Sequence, residues 1–146
     1  MKMKSNKVSA RQLLPSLKGG IWGWVFLAAL LVSFRAADEV ITQEDGATII
    51  NTTTLGEDVE GYAGPTPLKI YIKKGKIEKV EALKNLETPK YFALIKRDLI
   101  NRWNGLTVKK AATEKIDVIT GATYSSEAVI ENVRRGLDYY NKSGKK

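Results

Sequence analysis

A run of residues without a charge, GGIWGWVFLAALLVSF at positions 19–34, divides the chain more sharply than any other feature. It is short for a membrane-spanning helix, which needs about 17–25 residues, and slightly long for a signal-peptide core of about 7–15. The flanking Lys18 and Arg35 can extend the usable length by snorkelling, and two tryptophans lie where an interfacial belt is expected. We therefore predict a retained transmembrane helix at residues 19–35, with a cleaved signal peptide as the alternative.

The positive charge of the protein is concentrated beside this run. The first 35 residues contain six basic residues and no acidic one; removing these six from the total of 24 leaves 18 basic residues against 16 acidic ones. Under the positive-inside rule, residues 1–18 are a basic cytoplasmic tail, and the chain after the helix lies outside the cytoplasm. We predict a single-pass protein of the bacterial inner membrane, with the lipid bilayer as a partner. Nucleic acid is not predicted as a partner, because the charge excess belongs to the membrane-flanking arm.

The sequence contains neither Cys nor His. The absence of Cys excludes disulfides, thiolate catalysis and cysteine-ligated iron–sulfur clusters. The absence of His removes the commonest metal ligand and the usual general base. Any redox role therefore depends on an organic cofactor, and we predict neither a metal site nor catalytic residues.

Changes of composition indicate the domain boundaries. Residues 36–56 are predicted as a polar connector because acidic and threonine-rich stretches dominate them, with a strand at Ile49 and Ile50 left open. Residues 57–141 are predicted as one domain and residues 142–146 as a basic tail. A chain of this length supports one small domain once the membrane segment is subtracted.

Two periodicities within residues 57–141 predict an antiparallel sheet packed with helices, an α+β fold. The segment 68–72 alternates as a half-buried strand, and 77–83 returns as its antiparallel partner, with a bulge where the alternation slips. A further strand is predicted around residues 106–108.

Two helices are predicted from cap signals and apolar spacing. The first begins at Thr88, a hydroxyl cap followed by proline, and an Asn-Gly pair ends it after Trp103. The second runs from about Ser125 to Tyr140. Their buried stripes are Phe92, Ile95, Leu99 and Trp103, and Val129, Val133, Leu137 and Tyr140.

The stretch DVITGATYSS at 117–126 brings a turn of small residues, hydroxyl side chains and a helix start together within ten positions. A short apolar strand end leads from Asp117 into a turn of small residues, and a helix opens after the turn. The hydroxyl of Thr123 is thus predicted beside a helix N-terminus, where free backbone N–H groups can bind a phosphate. From these residues alone, a plain strand-to-helix connection with Ser125 as the N-cap is the alternative.

This stretch resembles the FMN-binding domain family, which includes the covalently flavinylated subunits of the sodium-translocating NADH:quinone reductase and of the Rnf electron-transfer complex. Family members place Asp, two variable residues, Ser or Thr, and then Gly-Ala-Thr. In this sequence the fixed positions hold Asp117, Thr120, Gly121, Ala122 and Thr123. The segment ETPK at 87–90 is similar to a Glu-Thr-Pro-Gly element of the larger members, and GYAGP at 61–65 is similar to the family too. The resemblance covers residues 61 to about 137.

The resemblance implies that a flavin transferase esterifies Thr123 with FMN taken from FAD, so the expected cofactor is covalent FMN. It also implies an electron-carrier subunit rather than a stand-alone enzyme, with other redox subunits or membrane electron carriers as partners. The phosphate is expected to lie on the helix start, where the hydroxyls of Ser125 and Ser126 add donors. Asp117 is expected to orient the turn or the transferase.

Further contacts to the cofactor are predicted around this turn. Glu87 and Thr88 are assigned by resemblance only. Tyr62 and Tyr124 are favoured among the aromatic candidates because they flank the motif-bearing turns, whereas Tyr91 is a candidate without that support. Two more aromatic candidates lie on the helix stripe and are expected in the core: Phe92 and Trp103. The predicted cofactor-binding set is Asp117, Thr120, Gly121, Ala122, Ser125, Ser126, Glu87, Thr88, Tyr62 and Tyr124.

Two other functions are compatible with the sequence. One is a membrane-tethered, non-redox binding module or adaptor that never receives flavin. The other is a noncovalent FMN reductase, which is disfavoured because no nicotinamide fingerprint is found. The segment DGAT at 45–48 repeats Gly-Ala-Thr but lacks the other fixed residues of the motif. We therefore predict that Thr48 stays unmodified.

Overall fold

A computed structural model describes residues 39–143 of the chain. The predicted cytoplasmic tail at 1–18 and the predicted transmembrane helix at 19–35 lie outside the described residues, as do the last three residues of the chain. Within residues 39–143, no helix is both long enough and apolar enough to cross a membrane.

Four antiparallel strands form one sheet in chain order: β1, Ile41–Glu44; β2, Ala47–Asn51; β3, Leu68–Lys73; and β4, Lys76–Ala82. In each of its two hairpins, a two-residue turn places a non-glycine residue and then a glycine at positive φ. The values are 50° and 77° at Asp45 and Gly46, and 51° and 73° at Lys74 and Gly75. Two successive left-handed residues match the twist of the flanking strands, which is why such turns connect tight hairpins.

The pairing of β3 with β4 confirms the predicted bulge. The register shifts between Tyr71 and Ile72, because Tyr71 pairs with Lys79 whereas Ile72 pairs with Ile77. One extra residue of β4 is therefore accommodated, and both Ile77 and Val80 can point into the core.

The sheet begins earlier in the chain than the sequence predicts. Ile41 pairs with Ile50, and Ile50 pairs with Ile70, so β1 and β2 are full members of the sheet. The predicted polar connector at 36–56 is therefore wrong for residues 41–51, and the strand left open at Ile49 and Ile50 is present. The reason is tertiary: Ile50 is fully buried against the core, although the surrounding sequence is polar.

Three α-helices follow the sheet within the described chain: α1, Pro89–Asp98; α2, Val108–Thr113; and α3, Thr123–Ser143. A 3₁₀ turn at Ile100–Trp103 continues from α1 and keeps Trp103 on the buried stripe. Sheet and helices share one core, and the α+β class is confirmed. Its central members are Ile50, Leu68, Ile70, Ile72, Phe92, Ile95, Leu99, Trp103, Val129, Val133 and Leu137.

A glycine brings α3 close to the sheet. A Cβ added at Gly136 would lie 2.6 Å from Cδ1 of Ile70 and 3.2 Å from Cγ2 of Thr52. A side chain here would therefore require its neighbours to shift.

Two predicted strands are absent from the described chain. Gly105 adopts φ 81° in a turn at residues 104–105, and the Thr107 hydroxyl accepts a hydrogen bond from the Lys110 N–H at 3.2 Å, so residues 107–108 form the capped start of α2. Only a short edge pairing is left there, in which the Ile77 N–H donates to the Leu106 carbonyl at 2.8 Å. Residues 117–119 are likewise not a strand, and α3 begins at Thr123, two residues earlier than predicted.

Arg135 fastens the loop after β2 to α3. Its Nη1 donates to the Leu55 carbonyl at 2.9 Å, its guanidinium bonds both carboxylate oxygens of Asp58, and its Nε donates to Glu131 at 2.9 Å. Hydrogen bonds from Arg134, and then from Arg135, lower the pKa of Glu131 to about 2, although burial opposes this change.

We expect the stability of the protein to fall as the pH drops from about 4.5 to about 2. The pKa of Glu131 is lower in the folded chain than its ordinary value of 4.5, so its stabilising effect is complete above pH 4.5 and is lost as the folded carboxylate is protonated. Because this side chain is 33% exposed, solvent screening limits the loss to about 1 kcal/mol. Urea unfolding at several pH values measures the effect. Glu131→Gln should flatten this part of the profile, and an unchanged slope in that variant would contradict the assignment.

Candidate functional site

A cleft of about 590 Å³ opens beside the start of α3. Three segments distant in sequence form its walls: the turn containing Tyr62, the loop that leads into α1, and the turn at Gly121–Ser125. Its volume lies within the range of about 300–1,000 Å³ that is usual for small-molecule sites.

The turn that precedes α3 is closed by hydrogen bonds within the DVITGATYSS motif. The Ala122 N–H donates to the Ile119 carbonyl at 3.0 Å, the Ser126 hydroxyl donates to the Ala122 carbonyl at 2.7 Å, and the Ile119 N–H donates to Ser126 Oγ at 2.9 Å. Gly121 has φ 87°, a left-handed conformation that glycine adopts readily. The buried Ser126 side chain thus joins both ends of the turn. This contradicts its predicted role as a phosphate donor, because its hydroxyl is directed at the protein and away from the cleft.

We expect Ser126→Ala to lower the free energy of unfolding by about 1–2 kcal/mol, because the Ile119 N–H loses its acceptor in a partly buried place. Urea denaturation followed by circular dichroism measures the loss. Thr120→Ala is the matched control, since Thr120 is an exposed hydroxyl residue of the same turn. Equal midpoints for the two variants would show that Ser126 does not hold the turn.

Thr123 is the first residue of α3, is exposed, and lies on the cleft wall. The first helical hydrogen bond is donated by the Ser126 N–H to the Ala122 carbonyl at 2.9 Å. The N–H groups of Thr123, Tyr124 and Ser125 therefore have no helical acceptor, and no acidic residue lies in the first turn. A hydroxyl beside free N–H groups at the positive end of a 21-residue helix is an arrangement that stabilises an anion.

Glu87 connects two walls of the cleft. Its Oε1 accepts a hydrogen bond from the Ala63 N–H at 2.9 Å, and its Oε2 accepts one from the Ser125 hydroxyl. Gly61 makes room for this contact, because a Cβ there would lie 2.5 Å from Oε1. The Ser125 hydroxyl, which the sequence predicts as a phosphate donor, is thus directed to Glu87, while its backbone N–H stays at the helix start.

Three tyrosines present their rings at the cleft. Tyr62 is 73% exposed, Tyr124 is 66% exposed and Tyr91 is 48% exposed. Rings this accessible can pack against a bound planar group. The predicted core positions of Phe92 and Trp103 are confirmed, since both are buried.

The cleft gathers most, but not all, of the predicted site. Eight predicted residues line it: Tyr62, Glu87, Thr88, Gly121, Ala122, Thr123, Tyr124 and Ser125. Asp117 and Thr120 are exposed on the approach to the turn and do not line the cleft, and Ser126 lies beneath it. Tyr91 was not among the favoured residues but does line the cleft. The signal was available in the helical pattern, because a stripe that buries Phe92 turns its neighbour outward.

Thr88 occupies the predicted N-cap position of α1, with Pro89 after it. Its hydroxyl makes no capping hydrogen bond, and the residue lines the cleft. The side chain is therefore available to a ligand.

Comparison with protein families identifies a family for this chain. A family model described as "FMN-binding domain" matches residues 61–138, which is more than half of the chain. The matched range contains every residue that lines the cleft. No curated protein and no solved structure matches the chain significantly.

Proposed function

The chain belongs to the FMN-binding domain family, and on that premise we propose that it carries FMN covalently on Thr123 and relays electrons between membrane or extracytoplasmic redox partners. The observation that carries this proposal is the position of Thr123, an exposed hydroxyl on a cleft wall at the start of α3. A phosphodiester there retains one negative charge, which the helix start stabilises by about 0.3–1 kcal/mol.

The attachment needs an acceptor that a flavin transferase can reach. In the proposed step, Thr123 Oγ forms a bond to the phosphorus of the FMN half of FAD while the phosphoanhydride bond to the other phosphate breaks. The hydroxyl proton goes to a base of the transferase or to solvent, and AMP leaves. This transfer involves no oxidation or reduction. Gly121 and Ala122 carry no bulky side chain beside the acceptor, which supports access by a large enzyme.

The cleft residues suit the rest of the cofactor. Tyr62, Tyr91 and Tyr124 supply exposed aromatic surface for a planar ring, and the Thr88 hydroxyl is available for a hydrogen bond. FMN, when bound, supplies a group that accepts and passes on electrons. The domain would hold and orient that group, and catalysis would belong to the partners.

The cellular setting is part of the same proposal. A retained helix at residues 19–35 would anchor the chain in the bacterial inner membrane, with the domain on the extracytoplasmic face. Other redox subunits or membrane electron carriers would be its partners there. A covalent bond suits that side of the membrane, because a flavin released outside the cytoplasm could not be replaced.

The test is mass spectrometry of the full chain produced together with a flavin transferase. A peptide containing Thr123 with the added mass of FMN is the expected result, and the protein should resist extraction from membranes by alkaline washing. A yellow protein whose colour is lost on denaturation would indicate a noncovalent flavoprotein instead. An unmodified peptide beside an active transferase would favour the adaptor.

A further inference from the structure

Glu87 is buried at an unusual place for a carboxylate. It is 7% exposed, and it is the acidic residue among those that line the cleft. None of the salt bridges within residues 39–143 includes it. A buried carboxylate without a cation is unfavourable unless hydrogen bonds compensate. Here the compensation comes from the Ala63 N–H and the Ser125 hydroxyl, one to each oxygen.

Neighbouring residues hold the Glu87 carboxylate in place. Asn85 Oδ1 accepts a hydrogen bond from the Glu87 N–H at 3.1 Å, and Asn85 Nδ2 donates to the Leu83 carbonyl at 3.0 Å, which orders the loop before α1. Gly61 leaves the space that Oε1 occupies. The two carboxylate oxygens therefore accept hydrogen bonds from two different walls of the cleft.

We propose that Glu87 is the positioning residue of the cleft. Its carboxylate ties the Tyr62 turn to the first turn of α3, and so fixes the distance between the ring of Tyr62 and the hydroxyl of Thr123. The effect on flavin attachment rests on the proposed function, whereas the tie itself does not. Glu87 acts through hydrogen-bond geometry and not through contact with the flavin.

The hydrogen bond to Glu87 engages the side chain of Ser125 and not its backbone N–H. Its hydroxyl is directed to Glu87, so its backbone N–H keeps its place beside those of Thr123 and Tyr124 at the helix start. Without Glu87, the Ser125 side chain is released and the first turn of α3 loses its tie to the loop that leads into α1. A looser first turn would present Thr123 in many positions, few of which suit an attacking hydroxyl.

The first measurement uses the full chain without flavin. Amide hydrogen exchange at Ala63, followed by NMR, reports the bond to Oε1 directly. Exchange should accelerate by about tenfold in Glu87→Ala, because one hydrogen bond is lost. Glu87→Gln retains an acceptor for Ala63 and a group that can donate to Ser125 Oγ, so exchange should return to within about threefold of the wild type. Unchanged exchange in Glu87→Ala would overturn the tie.

The second measurement is the rate at which a flavin transferase loads the same variants. Glu87→Ala should load about tenfold more slowly or worse, Glu87→Gln should load nearly as the wild type does, and Glu60→Ala, an exposed acidic control beside the same turn, should be unaffected. Should Glu87→Ala fail to fold, Ser125→Ala carries the test. This variant removes only the hydrogen bond to Glu87 Oε2, so loading should slow while exchange at Ala63 stays as in the wild type.

The outcomes separate this inference from the proposed function. A wild-type chain that receives no flavin from an active transferase would end the proposed function. Exchange at Ala63 would still show whether Glu87 links the Tyr62 turn to α3. Normal loading of Glu87→Ala despite fast exchange would overturn the positioning role. Equal failure of Glu87→Gln and Glu87→Ala would overturn it too, because the charge and not the geometry would then matter.

Discussion

Thr123→Ala is expected to abolish covalent flavin attachment completely, so that the fluorescent band of the full chain disappears from a denaturing gel. The physical reason is the absence of the one oxygen to which the phosphate would be bonded. Because Thr123 is exposed, the free energy of unfolding should change by no more than about 0.5 kcal/mol. A missing band therefore reports lost chemistry and not lost structure. In-gel fluorescence after production with a flavin transferase, together with a urea unfolding curve, measures both quantities.

Three matched variants make this result specific. Thr123→Ser keeps a hydroxyl at the same backbone position and should retain the band. Thr54→Ala removes an exposed threonine hydroxyl outside the motif and should leave the band unchanged. Thr48→Ala tests the second Gly-Ala-Thr, where the hydroxyl accepts a hydrogen bond from Gln43 Nε2 at 2.9 Å within the sheet. A band of wild-type intensity in Thr123→Ala would place the flavin elsewhere.

Trp103→Ala is expected to cause the largest loss of stability, about 3–5 kcal/mol. Trp103 is 2% exposed and is among the largest fully buried side chains of the described chain. Its removal takes away a large apolar surface and leaves a cavity, because the sheet and the helices around it cannot collapse fully. Such a loss is a large fraction of the stability of about 5–15 kcal/mol that folded domains usually have.

Urea unfolding of the full chain followed by far-ultraviolet circular dichroism measures this loss, since the variant lacks the fluorescence of Trp103. Tyr124→Ala is the control, as an aromatic residue that is 66% exposed. Its midpoint should stay close to that of the wild type. Similar midpoints for Trp103→Ala and Tyr124→Ala would mean that Trp103 does not hold the core together.

The parts of the fold that sequence predicts well are those decided by neighbours along the chain. The strands at 68–72 and 77–83 alternate and share a tight turn, so their pairing and bulge can be inferred locally. The helix stripes that include Phe92 and Val133 follow in the same way. β1 escapes prediction and β2 is left open, because the burial of Ile50 depends on pairing with Ile70, across a long polar loop.

The same distinction between local and tertiary effects applies to the candidate site. The motif and its resemblance identify most of the residues that line the cleft, including Thr123 and Tyr62. They do not reveal where a hydroxyl points, because that depends on partners brought in by the fold. Ser125 bonds Glu87, 38 positions away in sequence, and Ser126 bonds the Ile119 N–H behind the turn. The two serines thus support, from within the protein, the turn that carries Thr123.

The closed turn before α3 has a consequence for the order of events in the cell. Its hydrogen bonds among Ile119, Ala122 and Ser126 are all made within the chain, so the position of Thr123 at the start of α3 does not depend on a contact from outside the chain. Maturation would then follow folding as a separate, later step. A cell deprived of riboflavin would accumulate folded protein without flavin, which could be flavinylated once riboflavin is supplied.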